Sequence, residues 1–163
     1  MTGTTPRHGE RGSGRRHAAA PGADRIVAQH DGGDSYAVRV RSHEVIVDQP
    51  VPAEGDDRGP TPVELFVTAL AACVAYYAGS FLKRHGLTRE GLRVIAEFDM
   101  TKGPPARVRS VLVRVVPPMG LGTAQREALR AVTNHCTVGN SLRLPPEVSV
   151  VVDGPGVSSV TTA

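Results

Sequence analysis

The strongest hydrophobic pattern in the chain lies between residues 62 and 85. Val63, Phe66, Val67, Leu70, Cys73, Val74, Tyr77 and Phe81 recur at spacings of three and four, the repeat of one helix face. Thr61 stands where an N-cap belongs, Pro62 at the first helical position, and Glu64 three residues after Thr61, which together form a capping box. Lys83, Arg84 and His85 complement the C-terminal end of the dipole, and Gly86 stops the helix. The span 62–85 predicts a rod about 36 Å long. Its middle turns carry Ala69, Ala71, Ala72, Ala75 and Ala78 between the larger side chains. A helix that is apolar or small nearly all round belongs in the centre of a molecule or of a dimer.

Before this helix the pattern changes to alternation. Arg25 to His30 is a short strand-like run, and Asp31-Gly32-Gly33-Asp34 after it is a turn. Tyr36 to Arg41 and His43 to Asp48 alternate apolar with polar residues and predict a tight antiparallel hairpin at Ser42 and His43. Gln49 to Pro60 reads as a polar loop. After the helix, Arg93 to Thr101 and Arg107 to Val116 predict two strands around Lys102-Gly103-Pro104-Pro105. Thr123 opens a second helix, with Ala128, Leu129 and Val132 inward, that ends near His135-Cys136. A short turn of helix through Val138 to Leu142 follows, Pro145-Pro146 breaks it, and Val148 to Val152 predicts a last strand. The order β-β-β-α-β-β-α-β is that of an α+β fold, with antiparallel strands packed by helices.

Composition adds limits. The 163 residues suit one domain, read here as residues 23–163 after a tail at 1–22. Met1 to Gly22 lacks any hydrophobic period and predicts a disordered leader. The net charge of +3 belongs to that tail, where Arg7, Arg11, Arg15 and Arg16 face Glu10 alone. The remaining residues hold fifteen basic and fifteen acidic side chains, which gives no basic face for nucleic acid. The longest apolar stretch, Val67 to Phe81, is expected to be too short for a membrane span, and the N-terminus has no apolar signal-peptide core. The expected location is the cytoplasm.

Candidate chemistry centres on the two cysteines. Cys73 falls on the buried stripe of the long helix, and Cys136 between the end of one helix and the start of another. A thiol at a helix N-terminus gains thiolate character from the dipole and the free N–H groups. The two lie far apart in sequence, form no Cys-x-x-Cys, and read either as a redox pair or as two small buried hydrophobes. No histidine spacing supports a metal site. Gly120-Leu121-Gly122 lacks the third glycine of a dinucleotide loop and reads as a turn leading into a helix. Neither Ser80 nor Ser141 has the glycines of a nucleophile elbow.

Two motifs carry a resemblance. Gly59-Pro60-Thr61-Pro62-Val63-Glu64-Leu65-Phe66, running into Ala69-Leu70-Ala71-Ala72-Cys73, resembles the central-helix motif of the OsmC/Ohr superfamily of hydroperoxide reductases. Cys136-Thr137-Val138-Gly139-Asn140-Ser141-Leu142 is similar to its second motif, and Asp48-Gln49-Pro50 also fits. The resemblance covers roughly residues 24–153. It implies an intertwined homodimer, with antiparallel sheets wrapped around two long central helices. It also implies a thiol-dependent peroxidase in which Cys73 attacks an organic hydroperoxide and becomes a sulfenic acid. Cys136 then resolves it as a disulfide, and an external dithiol restores the pair, with no cofactor and no metal. The alternative within the superfamily is a non-peroxidase thiol carrier or a protein binding a small hydrophobic ligand.

The chain departs from the peroxidase pattern in two places. Gly32-Gly33 is followed by Asp34 rather than the arginine of those members, with Arg39 and Arg41 the nearby substitutes. Val63 stands where they have glutamate, and Glu64 follows it. Glu64 therefore has two readings, a helix cap or a catalytic carboxylate that orients an arginine beside Cys73.

Overall fold

The computed structural model describes residues 25–154, and the tail expected at 1–22 lies outside the described residues. The chain forms two compact units, one ending at Gly59 and the other starting at Pro60.

In the first unit, β1 (Ile26–His30), β2 (Tyr36–Val40) and β3 (His43–Val47) make an antiparallel sheet in sequence order. The register pairs Ile26 with Val40, and Val40 with His43. The hairpin turn is Arg41-Ser42, with Arg41 at φ 55, a left-handed conformation required by so short a connection. After β3 the chain folds back on itself. Asp48 is buried at 1% exposure, and its carboxylate accepts backbone N–H groups from Gln49 at 2.8 Å, Arg58 at 3.0 Å and Asp56 at 3.3 Å. One side chain thus ties both ends of the 49–58 loop. The loop returns so closely that a Cβ at Gly59 would run into the Ile46 carbonyl.

The second unit is built on α1 (Pro62–Arg84). The predicted capping box is present. Thr61 Oγ1 accepts the Glu64 N–H at 3.2 Å, and Glu64 Oε2 accepts the Thr61 N–H at 2.7 Å. His85 caps the other end and Gly86 follows at φ 67. β4 (Arg93–Met100) and β5 (Val108–Val116) form a separate antiparallel pair, with Val94 opposite Val115 and Ala96 opposite Val113. α2 (Thr123–Asn134) and α3 (Thr137–Arg143) complete the unit. The core is Ala78, Phe81, Leu82, Leu121 and Leu129, with Leu87, Leu92, Val115 and Val132 packed on it. Burying each of the leucine and phenylalanine side chains stabilises the fold by about 1.5–3 kcal/mol. Leu121 explains the Gly-Leu-Gly segment, for it anchors the turn into α2, as expected.

Two expectations are corrected. Val148 to Val152 forms no strand. It follows α3 as chain without regular secondary structure, with Val148 78% and Val152 91% exposed. A strand exists only as part of a ladder, and in the described chain β4 and β5 pair only with each other. The second concerns the apolar stretch, which α1 extends to 23 residues, long and apolar enough by length and composition to cross a membrane. Its contacts with α2, α3, β4 and β5 are those of a core helix. The contacts cover one side only. Phe66 at 43%, Ala69, Ala72 and Tyr76 at 73% remain as an exposed apolar stripe.

The Asp48 carboxylate gives a testable pH dependence. Its pKa is lowered chiefly by the Arg58 N–H, with burial opposing and the Gln49, Ser35 and Asp56 groups assisting. A depressed folded-state pKa adds stability above the unfolded carboxylate pKa of about 3.9, and this is lost as pH falls through the folded value. Asp48→Asn should therefore lower the melting temperature at neutral pH, and the difference from wild type should shrink in acid. A melting series in which the gap stays constant down to strongly acid pH would exclude this role.

Candidate active site: a cysteine pair at the start of α3

The second unit brings Cys73 and Cys136 together across a gap of more than sixty residues in sequence. Cys73 projects from the middle of α1, and Cys136 is the N-cap of α3. The first turn of α3 has backbone N–H groups with no intrahelical acceptor. Gly139 N–H donates to the Cys136 Sγ at 3.3 Å, and Val138 N–H donates to the Cys73 Sγ at 3.5 Å. Each sulfur therefore receives one of these free donors, from N–H groups of adjacent residues in the same turn. Both are free cysteines. Tyr77, one turn along α1 from Cys73, pins the arrangement through its hydroxyl, 3.1 Å from the Thr137 Oγ1.

The burial of Cys73 departs from the expectation. Cys136 is 1% exposed, whereas Cys73 is half-buried beside the open stripe of Ala69, Ala72 and Tyr76. Helix periodicity placed Cys73 on the inner face, but α1 is covered on one side only. Burial pushes the Cys136 thiol up, the Gly139 N–H pulls it down, the Cys73 side chain raises it further, and the Arg143 charge lowers it. Cys136 is thus held as a neutral thiol at ordinary pH.

Cys136 also lines an open cavity of about 850 Å³ between α1, β5, α2 and α3. Phe66, Leu70, Val74, Val111 and Leu142 make most of its wall apolar. Arg107, Arg109 and Arg143 also line it, and among the described residues no carboxylate does.

The remaining candidate residues lie elsewhere. Glu64 stays at the start of α1, where both Thr61 N–H and Thr61 Oγ1 donate to its Oε2, and these bonds lower its pKa. Arg39 is paired with Glu44 across the β2–β3 hairpin at 2.7 Å, and Arg41 occupies the hairpin turn. The cation beside the cysteines is Arg143, which the sequence reading missed. Its spacing of seven from Cys136 is about two helical turns, the signal that puts both on one face.

The family model described as OsmC-like protein matches residues 55–151, which include both cysteines, the capping box and the whole of α1. The chain belongs to the OsmC-like protein family. Solved structures share the fold. An osmotic stress induced and detoxification response protein from Psychrobacter arcticus superposes with a TM-score of 0.69 at 20% identity, over 76% of this chain and 91% of that one. An organic hydroperoxide resistance protein OsmC from Legionella pneumophila gives 0.54 at 19%, covering 76% and 92%. The organic hydroperoxide resistance protein OhrB of Bacillus subtilis gives 0.54 at 16%, covering 74% and 90%. No curated protein matches the chain in sequence. The α+β class with antiparallel sheets and packed helices is that of these OsmC-like structures.

Proposed function

We propose that this OsmC-like protein is a thiol peroxidase that reduces organic hydroperoxides with Cys73 and Cys136. The observation that carries this reading is that adjacent free N–H groups of α3 donate one to each thiol, which brings the two cysteines to the same helix turn. Cys73, half-buried and next to open surface, is the attacking residue. Its thiolate forms an S–O bond to the distal peroxide oxygen as the O–O bond breaks, and the alkoxide takes a proton to leave as an alcohol. Cys136 then forms the S–S bond as the sulfenic S–O bond breaks and water departs. An external dithiol reduces the disulfide by two exchanges. The neutral, buried Cys136 suits the second step, since it does not compete for peroxide in the first. No step calls on a metal or an organic cofactor. Glu64 acts as the cap of α1, a role that its two bonds from Thr61 support.

The apolar cavity of about 850 Å³ favours a second reading, a small hydrophobic ligand-binding protein on the same fold. Single-cysteine variants separate the two. With one equivalent of cumene hydroperoxide, Cys73→Ser should show no oxidation by mass spectrometry. Cys136→Ser should gain one oxygen at Cys73 and then over-oxidise. Oxidation of Cys136 first, or a Cys73→Ser protein that still turns over, would end the peroxidase assignment.

The working form on this reading is a homodimer in the cytoplasm, where thiols stay reduced. Two features support the dimer: the exposed stripe Phe66, Ala69, Ala72 and Tyr76, and the unpaired, exposed Val148, Val150, Val151 and Val152. Residues 23–163 serve as one domain, because the family match begins at residue 55 and crosses from the first unit into the second. Sedimentation at micromolar concentration should give twice the chain mass, and Tyr76→Glu should shift it toward the monomer. A wild-type monomer with a cooperative melt would contradict the dimer.

A further inference from the structure

We propose that Arg143 is an electrostatic positioning residue for Cys136, holding its thiolate in place for the resolving step. The proposal rests on the peroxidase reading for its purpose, and on geometry for its substance. Gly139 lies between the two groups. A Cβ placed there would stand 3.0 Å from the Cys136 Sγ and 3.7 Å from the Arg143 Nη1. Sulfur and guanidinium are therefore within about 7 Å of each other, inside the Debye length of about 8 Å at physiological salt. The absence of a side chain at Gly139 keeps the space between them open.

The guanidinium is fixed rather than free. Its Nη1 donates to the Asn134 carbonyl at the end of α2, at 2.6 Å, and to Asn140 Oδ1 at 3.3 Å. Both acceptors are neutral, so among the described residues no carboxylate cancels the charge. Arg109, by contrast, pairs with Asp99 at 3.3 Å. The groups around Cys136 can be taken element by element. α1 presents the Cys73 thiol, β5 and the residue before it bring Arg109 and Arg107 to the shared cavity, α2 is followed by His135, and α3 carries Arg143. Of the cations, Arg143 is the one across Gly139 from the sulfur.

The chemistry needs such a group. Cys136 must lose its proton before it can attack the Cys73 sulfenic sulfur, and its burial opposes that loss. A fixed positive charge favours the anion at the moment it forms. It also favours release of Cys136 when the external dithiol attacks the disulfide, since a stabler thiolate leaves faster.

The test titrates Cys136 by its ultraviolet thiolate absorbance in Cys73→Ser protein, which leaves one thiol per chain. Arg143→Met should move the midpoint up by about one pH unit, the lower end of the effect of a nearby opposite charge. Arg143→Lys should restore most of it, although it cannot remake both hydrogen bonds. Added salt should raise the midpoint in the Arg143 protein and leave the Met variant unmoved, which also serves if the Met variant folds poorly. A midpoint unchanged by both the Met substitution and salt overturns the proposal. So does an equal shift in the Lys and Met variants, which would make Arg143 a structural clamp between α2 and α3. No peroxide enters this titration, so a failed peroxidase assay would count against the function and not against Arg143.

Discussion

The first turn of α3 governs the site. A helix start leaves donors without partners, and here two of them are met by sulfur atoms from distant parts of the chain. Sulfur is a weak acceptor, so the thiols gain modest stabilisation from these bonds. For Cys136 the Gly139 donor also favours the anion on the reaction path, because charge strengthens a hydrogen bond about twofold. The rest of the second unit keeps this turn in place. α1 supplies Cys73 and the Tyr77 anchor, α2 delivers the chain to Cys136, and Arg143 ties the end of α2 to α3.

The long helix reconciles two demands. It must be apolar on the side that packs its own Phe81 and Leu82 against Leu121 and Leu129 in the core, and it must hold a nucleophile near open surface. Alternation of small alanines with larger residues meets both. The inner face buries Val67, Val74 and Ala78, while Cys73 sits on the shoulder between the core and the open stripe. The capping box at Thr61 and Glu64 fixes where the helix starts, and so fixes the azimuth at which Cys73 projects.

Local signals made the strands and helices legible in the sequence. The capping box, the hairpin between β2 and β3, the two strands around Pro104-Pro105 and the turn at Leu121 all depend on neighbours within a few residues. Cys73 and Cys136 were legible as chemistry because their surrounding motifs resemble one family. What stayed hidden depends on long-range packing. Periodicity assigned Cys73 to the buried face, but which faces are covered depends on α2 and α3. Val148 to Val152 has strand composition, yet composition cannot supply the neighbouring strand. The family pattern points to an arginine near Gly32-Gly33, and nothing in it points to Arg143. Its relation to Cys136 shows only once α3 is known to run on to Arg143.

The central claim is that Cys73 and Cys136 of one chain form a single redox unit. Peptide mapping under non-reducing conditions, after one equivalent of cumene hydroperoxide, addresses it directly. The account predicts one crosslinked peptide pair joining Cys73 to Cys136 within a chain, with the loss of both thiols. Intact thiols after the peroxide is consumed, or a crosslink only between different chains, would contradict it.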